Sequence, residues 1–425
     1  MYSDEYYLNQ LSYFLVFIPI FARKYTIMIT EELQKLYLAY TGVPAENITE
    51  LPSSGSNRRY FRLAGVQTLI GVYGTCIDEN EAFLYMAAHF RRCGLPIPEI
   101  HIVSEDKTYY LQEDLGDTLL FHAIEKGRAT SVFSEDEKEL LRKTIRLLPA
   151  IQFAGADGFD FSRCYPQPEF NQRSILWDLN YFKYCFLKAT GMEFQEDKLE
   201  DDFQKMSDVL LRSSSATFMY RDFQSRNVMI KDGEPWFIDF QGGRKGPFYY
   251  DIASFLWQAK AKYPDSLRQE LLQEYIEALR KYQPIDEPYF YSQLRHFVLF
   301  RTLQVLGAYG FRGYFEKKPH FIQSVPYAIG NLRELLKEEY PEYPYPEVIG
   351  YVNNDDGTLT LKVQAVFPYR GVSKAYIHEV TVRDTKDGGI QYVGNRIIEP
   401  INNPEIRWHV PRLTRTEWEE LYGDN

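Results

Sequence analysis

Three oxygen-bearing side chains stand close together in the segment Tyr220-Arg-Asp-Phe-Gln-Ser-Arg-Asn-Val-Met-Ile-Lys-Asp-Gly-Glu-Pro-Trp-Phe-Ile-Asp-Phe240: Asp222, Asn227 and Asp239. A carboxylate can orient a hydroxyl and accept its proton. Carboxylate and amide oxygens also suit a hard cation such as magnesium far better than sulfur or imidazole would. Phosphoryl transfer needs this combination, a proton acceptor beside a metal that bridges phosphate oxygens. An isolated D-x-x-x-x-N says little, and its weight comes from what surrounds it. Val228 to Ile230 and Trp236 to Ile238 are apolar runs flanking Asp232-Gly233, a strong hairpin turn signal. With those two residues as the turn, Asn227 falls opposite Ile238 and next to Asp239, so both metal-seeking side chains gather at the open end. Asp222 lies in the loop just before.

Elements that could hold such a loop are visible on both sides. Residues 28 to about 115 mix strands with one clear helix. Arg59 to Leu63 and Thr68 to Tyr73 read as strands, and Phe83, Met86, Ala87 and Phe90 recur at helical spacing before Gly94 and Pro96 end the run. Two further strands follow, Glu99 to Val103 and Thr108 to Gln112. Residues 116 to 340 are largely helical. They open on the capping-box pattern Ser134-Glu-Asp-Glu137, and later helices are expected over Ile175 to Leu187, Leu267 to Tyr282, Phe290 to Tyr309 and Phe321 to Leu336. Three prolines in Tyr340-Pro-Glu-Tyr-Pro-Tyr-Pro346 favour an extended linker. Residues 350 to 425 return to strand patterns: Leu359 to Phe367 alternates, Tyr376 to Val382 and Ile390 to Ile398 extend it to an antiparallel sheet, and a last helix is expected from about Thr414. This tail carries no catalytic constellation and reads as a docking or oligomerising module.

The chemistry-bearing segment resembles the catalytic and metal-binding loops of protein-kinase-like phosphotransferases. Arg221-Asp-Phe-Gln-Ser-Arg-Asn227 and Ile238-Asp-Phe-Gln241 are most similar to the bacterial N-acetylmuramate/N-acetylglucosamine anomeric kinases within the aminoglycoside-phosphotransferase family. Ser53-Ser-Gly-Ser-Asn-Arg-Arg-Tyr-Phe-Arg-Leu63 resembles that group's phosphate-loop hairpin, Leu95-Pro-Ile-Pro98 its helix-to-strand turn and Gln112-Glu-Asp-Leu-Gly-Asp117 its interlobe hinge. Tyr250-Asp-Ile-Ala-Ser254 and Arg301-Thr-Leu-Gln-Val-Leu-Gly307 are similar too. The resemblance spans residues 30 to 340.

It implies ATP and magnesium as cofactors, Asp222 as catalytic base, Asn227 and Asp239 as metal ligands, and Asp251 as a brace for the catalytic loop. Ser54, Gly55, Ser56 and Asn57 would cover the phosphates, and the hinge near Glu113 would meet adenine through its backbone. The sugar or other small-molecule acceptor would lie near Asp178, Arg226, Gln241 and Arg301. Three departures from the family pattern bear on the site, one being a phosphate loop with a single glycine, Gly55, that relies on serines for close approach. Tyr220 stands where a histidine usually precedes the catalytic loop, and a packing role is expected of it. The strand Thr68 to Tyr73 has no lysine for the phosphates; Arg58, Arg59 or Arg62 would supply the charge, and Glu81 is either the matching helix carboxylate or a solvent-facing one.

A net charge of −11 argues against broad binding to nucleic acid or to an anionic membrane. Four cysteines without a CxxC pair fit a reducing cytoplasm, and seven histidines without ligand spacing argue against zinc. The apolar run Leu11 to Phe21 has an acidic flank and is too short to span a bilayer. Residues 1–27 are therefore read as an extension, with Met28 as the expected natural start. The expected architecture is α+β: a protein-kinase-like two-lobed fold, with a mixed N-lobe carrying an antiparallel sheet (28–115), a helical C-lobe (116–340) and an appended small β-rich C-terminal domain (350–425). A kinase of an aminoglycoside or amino alcohol, and a nucleotide-binding pseudokinase without turnover, remain as alternatives.

Overall fold

The computed structural model of the chain describes residues 25–52, 58–213, 216–339, 345–367, 372–385 and 390–399, and it divides into two compact units, Met1–Leu332 and Arg333–Asn425. The first unit opens on a helix over residues 25–41 (α1), which joins the end of the expected extension to the start of the expected N-lobe, where no helix was foreseen. Its logic is local: Ile29, Leu33 and Tyr37 recur every fourth residue and are fully buried. The helix runs unbroken across residues 27 and 28.

Strands β1 (Asn47–Glu50), β2 (Arg59–Ala64), β3 (Leu69–Tyr73), β4 (Ile100–Val103) and β5 (Tyr109–Glu113) form an antiparallel sheet in the order β1-β2-β3-β5-β4. Alternation along the strands gives the sheet two different faces. Phe61, Leu63, Leu69, Tyr109 and Leu111 pack with Ile29, Leu33 and Tyr37 of α1. Tyr60, Val72 and Tyr110 lie opposite one another on the other face, where Phe83 of α2 (Ile77–Arg92) stacks on Tyr110 at 5.4 Å between ring centroids. The four apolar positions read as one helix face, Phe83, Met86, Ala87 and Phe90, are all buried. At Gly71 α1 packs tightly on the sheet, since a Cβ there would lie 2.7 Å from Leu63 Cδ1 and 2.8 Å from Leu33 Cδ2.

The helical lobe follows: α3 (Leu120–Ala123), α4 (Glu125–Thr130), α5 (Glu135–Pro149), α6 (Gln172–Phe182, prolonged by a π turn over Lys183–Leu187), α7 (Glu196–Leu210), α8 (Tyr249–Leu256), α9 (Asp265–Leu279), α10 (Glu287–Gly310), α11 (Pro319–Ile322) and α12 (Val325–Glu339). Ser134 and Glu137 cap α5 reciprocally, as a capping box requires. One run read as a single helix, Phe321 to Leu336, is two, because Pro326 has no N–H to continue the first ladder. Among the described residues, no helix is long and apolar enough to cross a membrane.

Two antiparallel ribbons sit inside this lobe, β6 (Thr217–Met219) with β9 (Arg244–Gly246), and β7 (Val228–Lys231) with β8 (Glu234–Phe237). The turn between β7 and β8 has positive φ at both Asp232 (54°) and Gly233 (76°), the signature of the two-residue hairpin that Asp-Gly favours. The second unit holds a four-stranded antiparallel meander, β10 (Tyr345–Asn353), β11 (Thr358–Phe367), β12 (Val372–Asp384) and β13 (Ile390–Glu399). β10 occupies sequence read as linker. The helix expected from Thr414 lies outside the described residues.

Candidate active site

The hairpin fixes the register. Val228 pairs with Phe237, and the Ile238 N–H donates to Asn227 O at 3.1 Å, so Asn227 and Asp239 leave the same end of the ribbon. Two residues here adopt left-handed backbone, Arg221 (φ 74°) and Asp239 (φ 67°). Neither is glycine, and such conformations persist only where surrounding contacts over-determine them. At Arg221 the contacts are explicit. The N–H groups of Tyr220 and Arg221 both donate to the Asp251 carboxylate on α8, each at 2.9 Å. Tyr220 is buried, and its hydroxyl donates to Ile238 O at 2.5 Å, so the residue at the usual histidine position ties the Asp222 loop to the Asp239 loop. Phe240, next in chain, stacks on Phe83 at 4.9 Å and links that loop to α2.

Burial pushes the Asp251 carboxyl up to about 7 against the opposing pull of its two backbone N–H partners. In the unfolded chain this group ionises near its ordinary value of 3.8. Between the two values the fold keeps a proton that the unfolded chain has released, so raising the pH favours unfolding. The contribution present below about pH 4 is therefore lost by about pH 7. Denaturant titrations across that interval should show wild-type stability falling more steeply than that of Asp251→Asn; parallel slopes would contradict the assignment.

Asp222 is half-exposed and faces three donors. Its Oδ1 accepts from Gln224 Nε2 at 2.8 Å and from Arg301 Nη2 at 3.4 Å, while Arg226 Nη2 stands 3.6 Å from Oδ2. Arg301 is itself held, donating to Ser254 Oγ at 3.0 Å and to Gln304. Asn227 donates its amide N–H to Asp222 O at 2.8 Å, which leaves its amide oxygen for another partner. Desolvation, and then the neighbouring Asp222 charge, push the Asp239 carboxyl above its usual range. A buried carboxylate repelled by a second one is stabilised by a cation, and an oxygen-only donor set suits magnesium. The residues present thus fit that ion, with nucleotide and water needed to complete its shell: among the described residues no cluster of three or more His, Cys, Asp or Glu could hold a metal.

Several residues singled out from sequence have partners within the protein. Gln241 donates to Asp239 Oδ1 at 2.8 Å and so supports the metal-side carboxylate. Asp178 is buried and both of its oxygens accept from Arg221 Nη2, at 3.0 and 3.1 Å. Glu81 is half-buried and pairs with Lys107, not with Arg58. Glu113 has both of its groups engaged, its N–H with Glu99 O at 2.8 Å and its carboxylate with Lys231 at 2.6 Å. Ser54, Gly55, Ser56 and Asn57 lie outside the described residues.

The three arginines of the first hairpin separate cleanly. Arg59 pairs with Glu50 at 2.7 Å on the outer side of the sheet, and Arg62 with Asp114 and Asp117 at the hinge, both at 2.7 Å. Arg58 alone points inward. It is 3% exposed, donates to Glu79 O at 3.1 Å, stands 3.6 Å from the Glu79 carboxylate and lies over the Phe83 ring. Its charge is one of those that hold Asp239 down. Of the two readings open for Glu81, its pairing with Lys107 favours the solvent-facing one, and Glu79, two residues earlier, is the carboxylate beside Arg58. Sequence reading had passed over Gln224 and Arg221, although both stand inside the motif itself.

Residues 47–285 match the family described as the phosphotransferase enzyme family, and residues 326–412 match a family of unknown function. The N-acetylmuramate/N-acetylglucosamine kinase of Neisseria meningitidis serogroup B is 26% identical over 304 residues, covering 68% of this chain and 86% of the relative. The kinase of the same name from Pseudomonas putida is 23% identical over 322 residues, covering 73% and 90%. A crystal structure assigned as an aminoglycoside phosphotransferase, from Ralstonia eutropha JMP134, aligns over 72% of this chain and 98% of its own with a TM-score of 0.50 at 14% identity, a likeness of fold.

Proposed function

This chain belongs to the phosphotransferase enzyme family, and from that premise we propose that it transfers the γ-phosphoryl group of ATP to a sugar hydroxyl, the anomeric one of N-acetylmuramate or N-acetylglucosamine, the two sugars for which its relatives are named. The observation that carries the reading is the convergence of Asp222, Asn227 and Asp239 at the end of one ribbon, with Asp222 already oriented by Gln224 and Arg301.

In this reading Asp222 Oδ1 is occupied by its two donors, and Oδ2 takes the proton as the acceptor oxygen forms its bond to phosphorus and ADP leaves. Magnesium, when bound by Asn227 and Asp239 with the nucleotide, would neutralise charge on the transferring phosphate. Arg58 takes the place of the strand lysine, braced by Glu79 as a lysine would be by a helix glutamate. Adenine contacts move past Glu113 to the backbone of Asp114 and Leu115, because the Glu113 N–H is spent within the sheet. Little covalent work falls to the protein, so positioning and charge carry the rate.

The pseudokinase alternative drew on the missing strand lysine, and the inward-facing Arg58 supports the catalytic reading against it. ADP release should be measured with N-acetylated amino sugars, aminoglycosides and amino alcohols side by side. Acceptor-dependent release that is strongest with N-acetylmuramate or N-acetylglucosamine is the expected result. Release that is strongest with an amino alcohol or aminoglycoside would replace the acceptor, and none with any of them would end the kinase reading.

A further inference from the structure

Helix α6 carries an aromatic stripe that the catalytic account leaves unused. Trp177, Tyr181 and Tyr184 lie at i, i+4 and i+7 on α6 and its π continuation, so they share one side. Trp177 is 62% exposed and Tyr184 53%, which is costly for such large rings unless something covers them. With Asp178, Asn180 and Cys185 they line a groove of about 360 Å³. Tyr181 rests against Phe311 at 5.8 Å between centroids, which fixes the floor of the stripe.

The groove is joined to the chemistry. Asp178, at its inner edge, accepts through both oxygens from a single nitrogen of Arg221, the residue that immediately precedes Asp222. A carboxylate has about four lone-pair directions, so two remain for donors on a ligand. An apolar ring face beside a carboxylate acceptor suits a pyranose, which offers a face of C–H bonds and a rim of hydroxyl donors.

We infer that Trp177 is the platform on which the ring of the sugar acceptor stacks, with Asp178 accepting from its hydroxyls; this rests on the sugar-kinase reading above. Asp178 thereby acts twice, holding Arg221 on one side and the acceptor on the other. The occupant is a neutral or anionic hydroxyl-rich ring and not a second copy of the chain, because a carboxylate tied to the catalytic loop has no purpose in a protein contact.

The test combines kinetics with binding on the full-length protein. Trp177→Ala, at an exposed position, should fold normally and raise the KM for N-acetylglucosamine roughly tenfold or more, while the KM for ATP and turnover at saturating sugar hold. Trp177→Phe should restore most of the affinity. Sugar added without nucleotide should change the intrinsic fluorescence of the wild type and not of Trp177→Phe. If the sugar is phosphorylated but its KM is unmoved in Trp177→Ala, the platform is wrong and the kinase reading stands; the same holds if that variant alters only self-association. A fluorescence response without turnover keeps the platform and removes the sugar-kinase reading. Neither response nor turnover overturns both.

Discussion

Replacing Asp222 by Asn should lower turnover by roughly 10²–10⁴-fold, the usual contribution of a positioned general base, while the KM for ATP stays within about twofold. The substitution preserves shape, and an amide oxygen can still accept from Gln224 and Arg301, which now hold the carboxylate at 2.8 and 3.4 Å. The loop is also anchored independently of this side chain, by Asp251 through the Tyr220 and Arg221 N–H groups. What is lost is the basic oxygen. Steady-state ADP release with saturating acceptor checks this, and a variant retaining more than about a tenth of wild-type turnover would remove Asp222 from the proton transfer.

Arg58→Ala should produce the second large effect, a fall of roughly 10²–10³-fold in kcat/KM for ATP, comparable to removing one preorganised donor from a site of developing charge. Of the three hairpin arginines, Arg58 is the one whose charge is felt at Asp239; Arg59 and Arg62 are committed to Glu50 and to the hinge carboxylates. Arg59→Ala is therefore the matched control, with kcat/KM expected within about threefold, the small effect typical of an exposed pair. The Glu79 side chain keeps contact with solvent at 29% exposure, so losing its partner does not strand a buried charge. Arg58→Lys should recover part of the loss, since it keeps the charge without the fork. Equal effects at Arg58 and Arg59 would mean that the cation does not meet the phosphates.

How much of this was readable before the fold was known depends on how local each signal is. The Asp232-Gly233 hairpin was legible because two residues with positive φ are required there and both are types that tolerate it. The register, and with it the placing of Asn227 opposite Ile238, followed from that turn alone. Helix α1 was equally periodic, yet no helix was expected over Ile29, Leu33 and Tyr37, because what they cover, Phe61 and Leu111 across a sheet, is distant in sequence. The Arg58–Glu79 pair was half legible. Three arginines in one strand could be counted, but which one turns inward depends on pleat parity against β3 and β5, and Glu79 and Glu81 differ only by a rotation about α2. The bond from Gln241 to Asp239 was not legible, because an amide beside that residue can face the acceptor or the carboxylate and only the fold fixes its nitrogen on the carboxylate.

The most direct measurement is a crystal structure grown with manganese, as a visible substitute for magnesium, and a non-hydrolysable ATP analogue. The account predicts one manganese bound by the Asn227 amide oxygen and the Asp239 carboxylate, phosphates between it and Arg58, and Asp222 facing the terminal phosphorus with no metal of its own. Metal bound away from Asn227 and Asp239, or a nucleotide whose phosphates leave Asp222 and Arg58 untouched, would contradict it.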